Sequence, residues 1–453
     1  MTKRNYFGTD GIRGKANIYP MTGEVAMKLG RVVTYYFQKL NNSIKKPVII
    51  LGKDTRRSCY MLEQAFAAGV CSQGGSVILT GPLPTPGVSF VTKSMRADAG
   101  VMISASHNPY YDNGIKIFNG NGEKLSDKIE LELERLMNHP ELVEVKINEE
   151  LGNAKRLDEV FGRYIVQAKS AFSSDFDLSG MRVVVDCANG AAYKVAPMVL
   201  RELGADVITI GVEPNGININ DGVGALYPQR AQKLVLKYRA DLGICLDGDS
   251  DRLVIVLKNG EILDGDVLIG IFTKLLFEKG EIKKNDTIVG TIMSNLGLEN
   301  YVKSLGLKFI RTKVGDRYIS EDMKKTNSIL GGEPSGHVIF KNHSLTGDGI
   351  ISALKFIEAT KFFKNIDKVI DQISLCPQVL LNLNVKKKIP FEELSLFSKK
   401  LKSFEKELGT TGRILVRYSG TENLARVMVE GEDEKLINDI ADALIDILKK
   451  ELS

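Results

Sequence analysis

Three stretches of this chain follow one plan, and no other feature limits the possible fold so strongly. KPVIILGKDTRRSCYMLEQAFAAGVCSQGGSVILTG, MRVVVDCANGAAYKVAPMVLRELGADVITIG and DTIVGTIMSNLGLENYVKSLGLKFIRTK each read as strand, tight turn, helix, glycine stop and strand. A β-branched run leads into small and polar turn residues, and the helical stretch ends at Gly74-Gly75, Gly204 or Gly306, as a helix C-terminus requires. Strand, helix and strand in that order form a parallel βαβ unit with a right-handed crossover.

Each copy is followed by one more short apolar segment that ends in a polar loop: ADAGVMISASHNP, ADLGICLDGDSDR and SILGGEPSGH. Ligands of open α/β sheets bind beyond the carboxyl ends of the strands, so three such domains offer three loops to a common cleft. From Cys376-Pro377 onward the pattern changes. VLLNLNVKKK, the helix-like PFEELSLFSKKLKSFEKEL, GRILVRYSG, LARVMVEG and DEKLINDIADALIDILKK describe a small α+β domain with an antiparallel sheet. The expected architecture is three similar mixed α/β domains, 1–155, 156–255 and 256–371, plus a C-terminal α+β domain, 372–453, around a central cleft.

Composition agrees with this and removes several classes of function. A chain of 453 residues with 43% apolar and 26% charged side chains has ample core. No run of about 18 apolar residues appears, and the basic start MTKRNYFGTDGIRG has no apolar segment behind it to make a secretory signal. The five cysteines are odd in number and never paired as CxxC, which points to reduced thiols in a cytoplasmic protein. The net charge of +5 is small, and the lysine runs are short and isolated, so nucleic acid is not an expected partner. No P-loop, GxGxxG, HExxH or GxSxG is present.

Chemistry concentrates in the loops. In LDGDSDRL, Asp247, Asp249 and Asp251 alternate with Gly248 and Ser250 just past a strand. Three carboxylates this close repel unless a cation lies between them, and all-oxygen ligation points to Mg²⁺. An EF-hand loop also begins D-x-D-x-D, but Arg252 and Lys258 stand where it needs glycine and glutamate. The plain alternative is a polar turn with solvated aspartates. Arg252 places a positive charge beside the triad. VRYSGTEN combines Arg417, Ser419, Gly420 and Thr421, a guanidinium, two hydroxyls and open backbone N–H groups that suit a phosphate, although Ser-Gly-Thr also makes ordinary turns. GGEPSGH offers Glu333, Ser335 and His337, either to vicinal sugar hydroxyls or merely as a turn. Arg13 among glycines and Lys116 at the start of a strand would not stand out alone, since such residues usually face water.

VMISASHNPY poses the sharpest question, because Ser106 leaves a strand end with no obvious base to activate it. His107 is its neighbour, and adjacent strand side chains point to opposite faces, which disfavours Ser–His acyl transfer. A serine near a divalent cation, with arginines and a lysine around it, is better suited to carrying a phosphoryl group. Phosphoserine brings about −1.5 to −2 charge, which a cation and Arg252 neutralise. A separate phosphate loop in the last domain would anchor a second, non-reacting phosphate.

TDGIRG, SASHNP, DGDSDR, GGEPSGH and RYSGTEN, in this order across four domains, resemble the α-D-phosphohexomutase superfamily. YFGTDGIRG, ISASHNP, TIMSNLGLE and LTGDGI are similar to its bacterial phosphoglucosamine mutase branch, and the resemblance covers essentially the whole chain. It implies interconversion of glucosamine 6-phosphate and glucosamine 1-phosphate, a step toward UDP-N-acetylglucosamine. It further implies that Ser106 is phosphorylated and binds one Mg²⁺ with Asp247, Asp249 and Asp251. Glu333 and Ser335 would read sugar hydroxyls, and Arg417, Ser419, Gly420 and Thr421 would hold the non-reacting phosphate. Arg13, His107, Lys116, Arg252 and His337 would be the charged and proton-transferring groups. The implied intermediate is glucosamine 1,6-bisphosphate, with that compound or glucose 1,6-bisphosphate as activator. The implied setting is a cytoplasmic enzyme on a small hexosamine phosphate, without membrane or nucleic acid, and compatible with a homodimer.

Two positions depart from the family pattern. Asn423 stands where many members have proline, and GVGALYP (222–228) lacks an expected cysteine before its glycine, which leaves the role of that inter-domain loop open. The alternatives are a sister mutase for glucose or mannose phosphates with the same mechanism, a non-catalytic sugar-phosphate sensor, and a phosphoserine phosphatase-like hydrolase.

Overall fold

The computed structural model of the chain describes residues 5–8, 10–41, 46–418 and 423–452. Each of the three repeats contributes the same arrangement to its sheet. In the first, Val48–Lys53 lies between parallel neighbours Ser76–Pro82 and Ala99–Ile103, and Asp112–Asn119 returns antiparallel beside the latter. In the second, Arg182–Asp186 lies between Asp206–Ile210 and Leu242–Leu246, with Leu253–Leu257 antiparallel. In the third, Thr287–Thr291 lies between Lys308–Thr312 and Leu330–Gly332, with Val338–Phe340 antiparallel. The connection between the third and fourth strands is therefore the equivalent hairpin in every repeat. These hairpins hold residues 104–111, 247–252 and 333–337, and they lie at the carboxyl ends of the parallel strands.

The sequence favours this plan locally. The helices Arg57–Ser72, Val195–Glu202 and Leu296–Ser304 run back across the sheets, and Gly74, Gly204 and Gly306 follow them with φ of +84°, +99° and +77°. The strand leading to the first hairpin, Ala99–Ile103, and that leading to the second, Leu242–Leu246, are buried at every residue, the continuous apolar signature of strands covered on both faces. Asp264, Asn295 and Asp348 cap the helices that follow them through side-chain oxygens on backbone N–H groups.

One apolar core passes without interruption through the three repeats, joining Met102 and Phe118 to Leu246 and Leu253 and on to Phe272 and Phe340. The first repeat has a second core on its other face. The last domain has a core of its own, built from Val427, Val429, Ile440 and Leu444. Its three-stranded sheet sets Leu424–Gly431 between Gln378–Asn384 and Gly412–Tyr418, and Ser395–Leu408 and Glu434–Glu451 are its helices.

Two placements differ from the sequence-based expectation. A boundary at 255/256 falls inside the strand Leu253–Leu257, whose partner Ile262–Leu263 ends that sheet. A boundary at 155/156 falls inside Asn153–Arg156, which pairs with Ser76–Pro82. Pairing assigns both strands whole to the preceding sheet. Among the described residues no helix is long and apolar enough to cross a membrane.

Candidate active site

The first hairpin leaves the sheet at Ile103. Ser104 Oγ accepts the Ser106 N–H at 2.9 Å, and Ser106 adopts φ +54°, a left-handed conformation that costs a side-chain-bearing residue about 1–3 kcal/mol. It aims Ser106 Oγ at Asp247, to whose Oδ2 it donates at 2.6 Å. His107 Nδ1 lies 3.4 Å from Ser106 Oγ. The alternation rule that set these neighbours on opposite faces does not apply, because the chain has already left the strand.

The second hairpin brings Asp247, Asp249 and Asp251 together, with one oxygen of each within 4.8 Å of the others and all three side chains buried. A β-carbon on Gly248 would stand 2.5 Å from the Ser106 carbonyl oxygen, so glycine is what lets the two hairpins touch. Burial, followed by repulsion from Asp251 and Asp249, pushes the Asp247 carboxyl up to about 8. Asp249 Oδ1 and Asp251 Oδ1 are buried without a hydrogen-bond partner. Unpaired carboxylate oxygens around a crowded negative centre fit a hard divalent cation.

Lys116 is buried, at the middle of Asp112–Asn119 rather than at its start, and only 2% exposed. Its Nζ donates to Asp249 Oδ2 at 2.9 Å and Asp251 Oδ2 at 3.2 Å, and lies 3.4 Å from Asp10. Burial disfavours its charge, but Asp10, Asp249 and Asp251 outweigh burial and hold the pKa well above the usual lysine value. Asp10 also pairs with Arg13 and Lys124, and Lys124 reaches Asp316 of the third repeat at 2.7 Å. Arg252 donates its backbone N–H to Asp247 Oδ1 at 3.2 Å, with its Nε 3.9 Å from Asp251.

His337 enters from the third hairpin, with Nδ1 3.7 Å from Asp251 and Nε2 accepting the Gly347 N–H at 3.1 Å. Burial disfavours charge on this ring, yet the nearby Asp251, then Asp316 and Glu333, raise its pKa. His107 behaves oppositely: burial, then Arg252 and Arg13, lower it to about 4. Glu333 accepts the Gly315 N–H at 2.9 Å and the Ser335 hydroxyl at 3.2 Å.

Ser106, His107, Lys116, the aspartate triad, Arg252 and His337 thus form one cluster, which Arg13 joins through Asp10. Glu333 and Ser335 border it on the third hairpin. Arg417 stands apart in the last domain, directly across its sheet from Arg426, and among the described residues it makes no hydrogen bond or ion pair to the cluster. Ser419, Gly420 and Thr421 lie outside the described residues. Sequence reasoning did not single out Asp10, Thr85, Lys124 or Asp316. Thr85 donates to Asp249 Oδ2 at 2.6 Å. Only Asp10 carried a signal, inside TDGIRG.

The chain matches the four domain models of the phosphoglucomutase/phosphomannomutase family: α/β/α domain I over residues 4–144, domain II over 162–260, domain III over 264–374 and the C-terminal domain over 380–447. A phosphoglucosamine mutase from Syntrophotalea carbinolica is 48% identical over 99% of this chain and 98% of its own length. The chain belongs to the phosphoglucosamine mutase family. A second phosphoglucosamine mutase, from Magnetococcus marinus, is 50% identical over 99% of this chain and 92% of that protein. The fold is that of solved phosphohexomutases: a phosphoglucomutase/phosphomannomutase family protein from Burkholderia thailandensis superposes with a TM-score of 0.80 at 22% identity, over 98% of this chain and 97% of that one. The N-acetylphosphoglucosamine mutase of Aspergillus fumigatus, solved with GlcNAc-6P and magnesium, gives 0.70 at 18% identity over 100% of this chain and 96% of that one. As a phosphoglucosamine mutase family member the chain is an isomerase of the phosphomutase type.

Proposed function

We propose that this phosphoglucosamine mutase family member interconverts glucosamine 6-phosphate and glucosamine 1-phosphate, with Ser106 as the phosphoryl carrier. The observation that carries the reading is Ser106 Oγ held 2.6 Å from Asp247 at the edge of a carboxylate triad. In the first half-reaction the P–O bond to Ser106 Oγ breaks as a new one forms to O1 of the sugar. The proton of that hydroxyl passes, by way of one of the two imidazoles bordering the triad, His107 or His337, to Ser106 Oγ as it leaves. The product is glucosamine 1,6-bisphosphate, which turns in the cleft. Its 6-phosphoryl then returns to Ser106 Oγ, and O6 recovers a proton.

Asp247, Asp249 and Asp251 would hold Mg²⁺ together with the phosphorylated Ser106. Bound there, the cation supplies Lewis-acid polarisation of the phosphoryl group and neutralises its charge. Lys116 keeps a fixed positive charge against Asp249 and Asp251, so the pocket stays close to neutral when the phosphoryl group arrives. Arg13 and Arg252 flank the phosphoryl oxygens. Glu333 and Ser335 orient the sugar hydroxyls. Arg417, with Ser419, Gly420 and Thr421, anchors whichever phosphate is not reacting. A separately cored last domain suits an intermediate that must turn without escaping. A 1,6-bisphosphate primes Ser106.

Ser106→Ala tests the reading. Isomerisation should fall to background while thermal unfolding is retained, even with added bisphosphate, and near-normal turnover would remove Ser106 from the mechanism.

A further inference from the structure

The serine hairpin is gripped from behind by two side chains with no part in the chemistry above. Arg56, which precedes the helix Arg57–Ser72, is fully buried and paired with Asp54. Its Nη2 donates to the carbonyl oxygens of Ser106 at 3.1 Å and Asn108 at 2.5 Å, and its Nη1 lies 3.4 Å from Ser104 Oγ. Asn220 arrives from the second repeat. Its Nδ2 donates to the same two carbonyls, at 2.9 Å and 3.0 Å. A carbonyl oxygen has two lone pairs, and at Ser106 and Asn108 one is taken from each domain.

The segment carrying Asn220 is itself pinned. The Asn220 N–H donates to the Ala188 carbonyl at 2.9 Å, and Asp186 accepts from the N–H groups of Ala188 at 2.9 Å and Gly224 at 2.8 Å. The Gly216 carbonyl accepts the Arg57 N–H at 2.9 Å, and Thr55 Oγ1 donates to the Asn189 carbonyl. The segment just before GVGALYP therefore docks on the first turn of Arg57–Ser72 through Gly216 and delivers the Asn220 side chain to the serine hairpin, while Gly224 of GVGALYP ties it back to Asp186.

We propose that Arg56 and Asn220 are positioning residues, a two-domain clamp on the Ser106 and Asn108 carbonyls that imposes the left-handed turn and fixes Ser106 Oγ in one place for both phosphoryl transfers. This rests on the carrier reading of Ser106. One oxygen must serve as leaving group toward one end of the sugar and as acceptor from the other. A 1 Å misplacement costs roughly 10²-fold in rate. Both clamp side chains are buried, Arg56 at 0% and Asn220 at 6% exposure, so their loss should act on turnover and not on substrate affinity.

The test compares wild type with Asn220→Ala, Arg56→Lys and the double variant as full chains with Mg²⁺ and 1,6-bisphosphate. Asn220→Ala should lower kcat about 10- to 100-fold while KM stays within about twofold. The double variant should lose more than the product of the single losses, because either donor partly stands in for the other. Thermal unfolding and intact mass, the latter reading phosphate on Ser106, are taken on the same samples. Asn220→Ala leaves no buried charge, so it decides the matter even if Arg56→Lys does not fold. A folded, phosphorylated Asn220→Ala with wild-type kcat, or one changed only in KM, overturns the clamp alone. A wild-type enzyme that turns over without ever carrying phosphate on Ser106 overturns the carrier reading and the clamp's purpose with it.

Discussion

Lys116, on the strand Asp112–Asn119, and Asp249, on the second hairpin, meet at 2.9 Å with both side chains almost fully buried. Removing one partner of a buried pair leaves the other charge uncompensated, at a cost of about 3–5 kcal/mol. Lys116→Met should therefore destabilise the fold by that order in a metal chelator. Mg²⁺ should recover more of the loss than it adds to wild type, since it binds only the folded carboxylate cluster. Thermal unfolding with and without Mg²⁺ reads this directly, and no Mg²⁺ shift in either protein would contradict a cation at the triad.

Asp249 has one buried oxygen committed to Thr85 and Lys116 and one with no partner. Asp249→Asn should raise the Mg²⁺ concentration for half-maximal activity roughly tenfold or more, because one anionic ligand is lost. An unchanged titration curve would refute the metal assignment.

Gly248 is the point where the two hairpins touch. A β-carbon there would meet the Ser106 carbonyl oxygen at 2.5 Å and Asn220 Nδ2 at 2.9 Å. Gly248→Ala should push the serine hairpin away and lower kcat by about 10²-fold. Full activity in that variant would mean that the hairpins can separate freely.

Away from the cluster, burial raises the Asp266 carboxyl to about 7, with Asp264 and Glu430 adding to it against the Asn295 N–H. The folded state thus holds this proton more tightly than the unfolded one. The resulting stability is full below the ordinary value near 3.8 and is lost as pH rises through about 7. Asp266→Asn should be more stable than wild type at pH 8, on the order of a few kcal/mol, and the advantage should vanish near pH 4. Denaturant unfolding at both pH values checks it, and a pH-independent difference would contradict the assignment.

The repeat was legible because it rests on local chemistry. β-branched runs and glycines with positive φ after Arg57–Ser72, Val195–Glu202 and Leu296–Ser304 appear in the sequence as they do in the fold. The three polar loops were legible for the same reason, as each follows an apolar strand. What escaped was nonlocal. Lys116 looked like a surface residue because Asp10, Asp249 and Asp251 lie far from it in the chain. Asp316 and Thr85 reach the cluster from positions with no motif around them. His107 was set facing away from Ser106 by a strand rule, and a single left-handed residue defeats that rule. Arg56 lies in the first repeat's turn, GKDTRRS, but its two carbonyl partners are some fifty residues on.

The most direct test is phosphorus NMR of the enzyme with Mg²⁺ and equal glucosamine, glucose and mannose 6-phosphates, each primed with a trace of its 1,6-bisphosphate. Glucosamine 1-phosphate should accumulate fastest. Dominance of glucose or mannose 1-phosphate would contradict the amino-sugar assignment, and release of inorganic phosphate in place of any 1-phosphate would contradict the carrier mechanism itself.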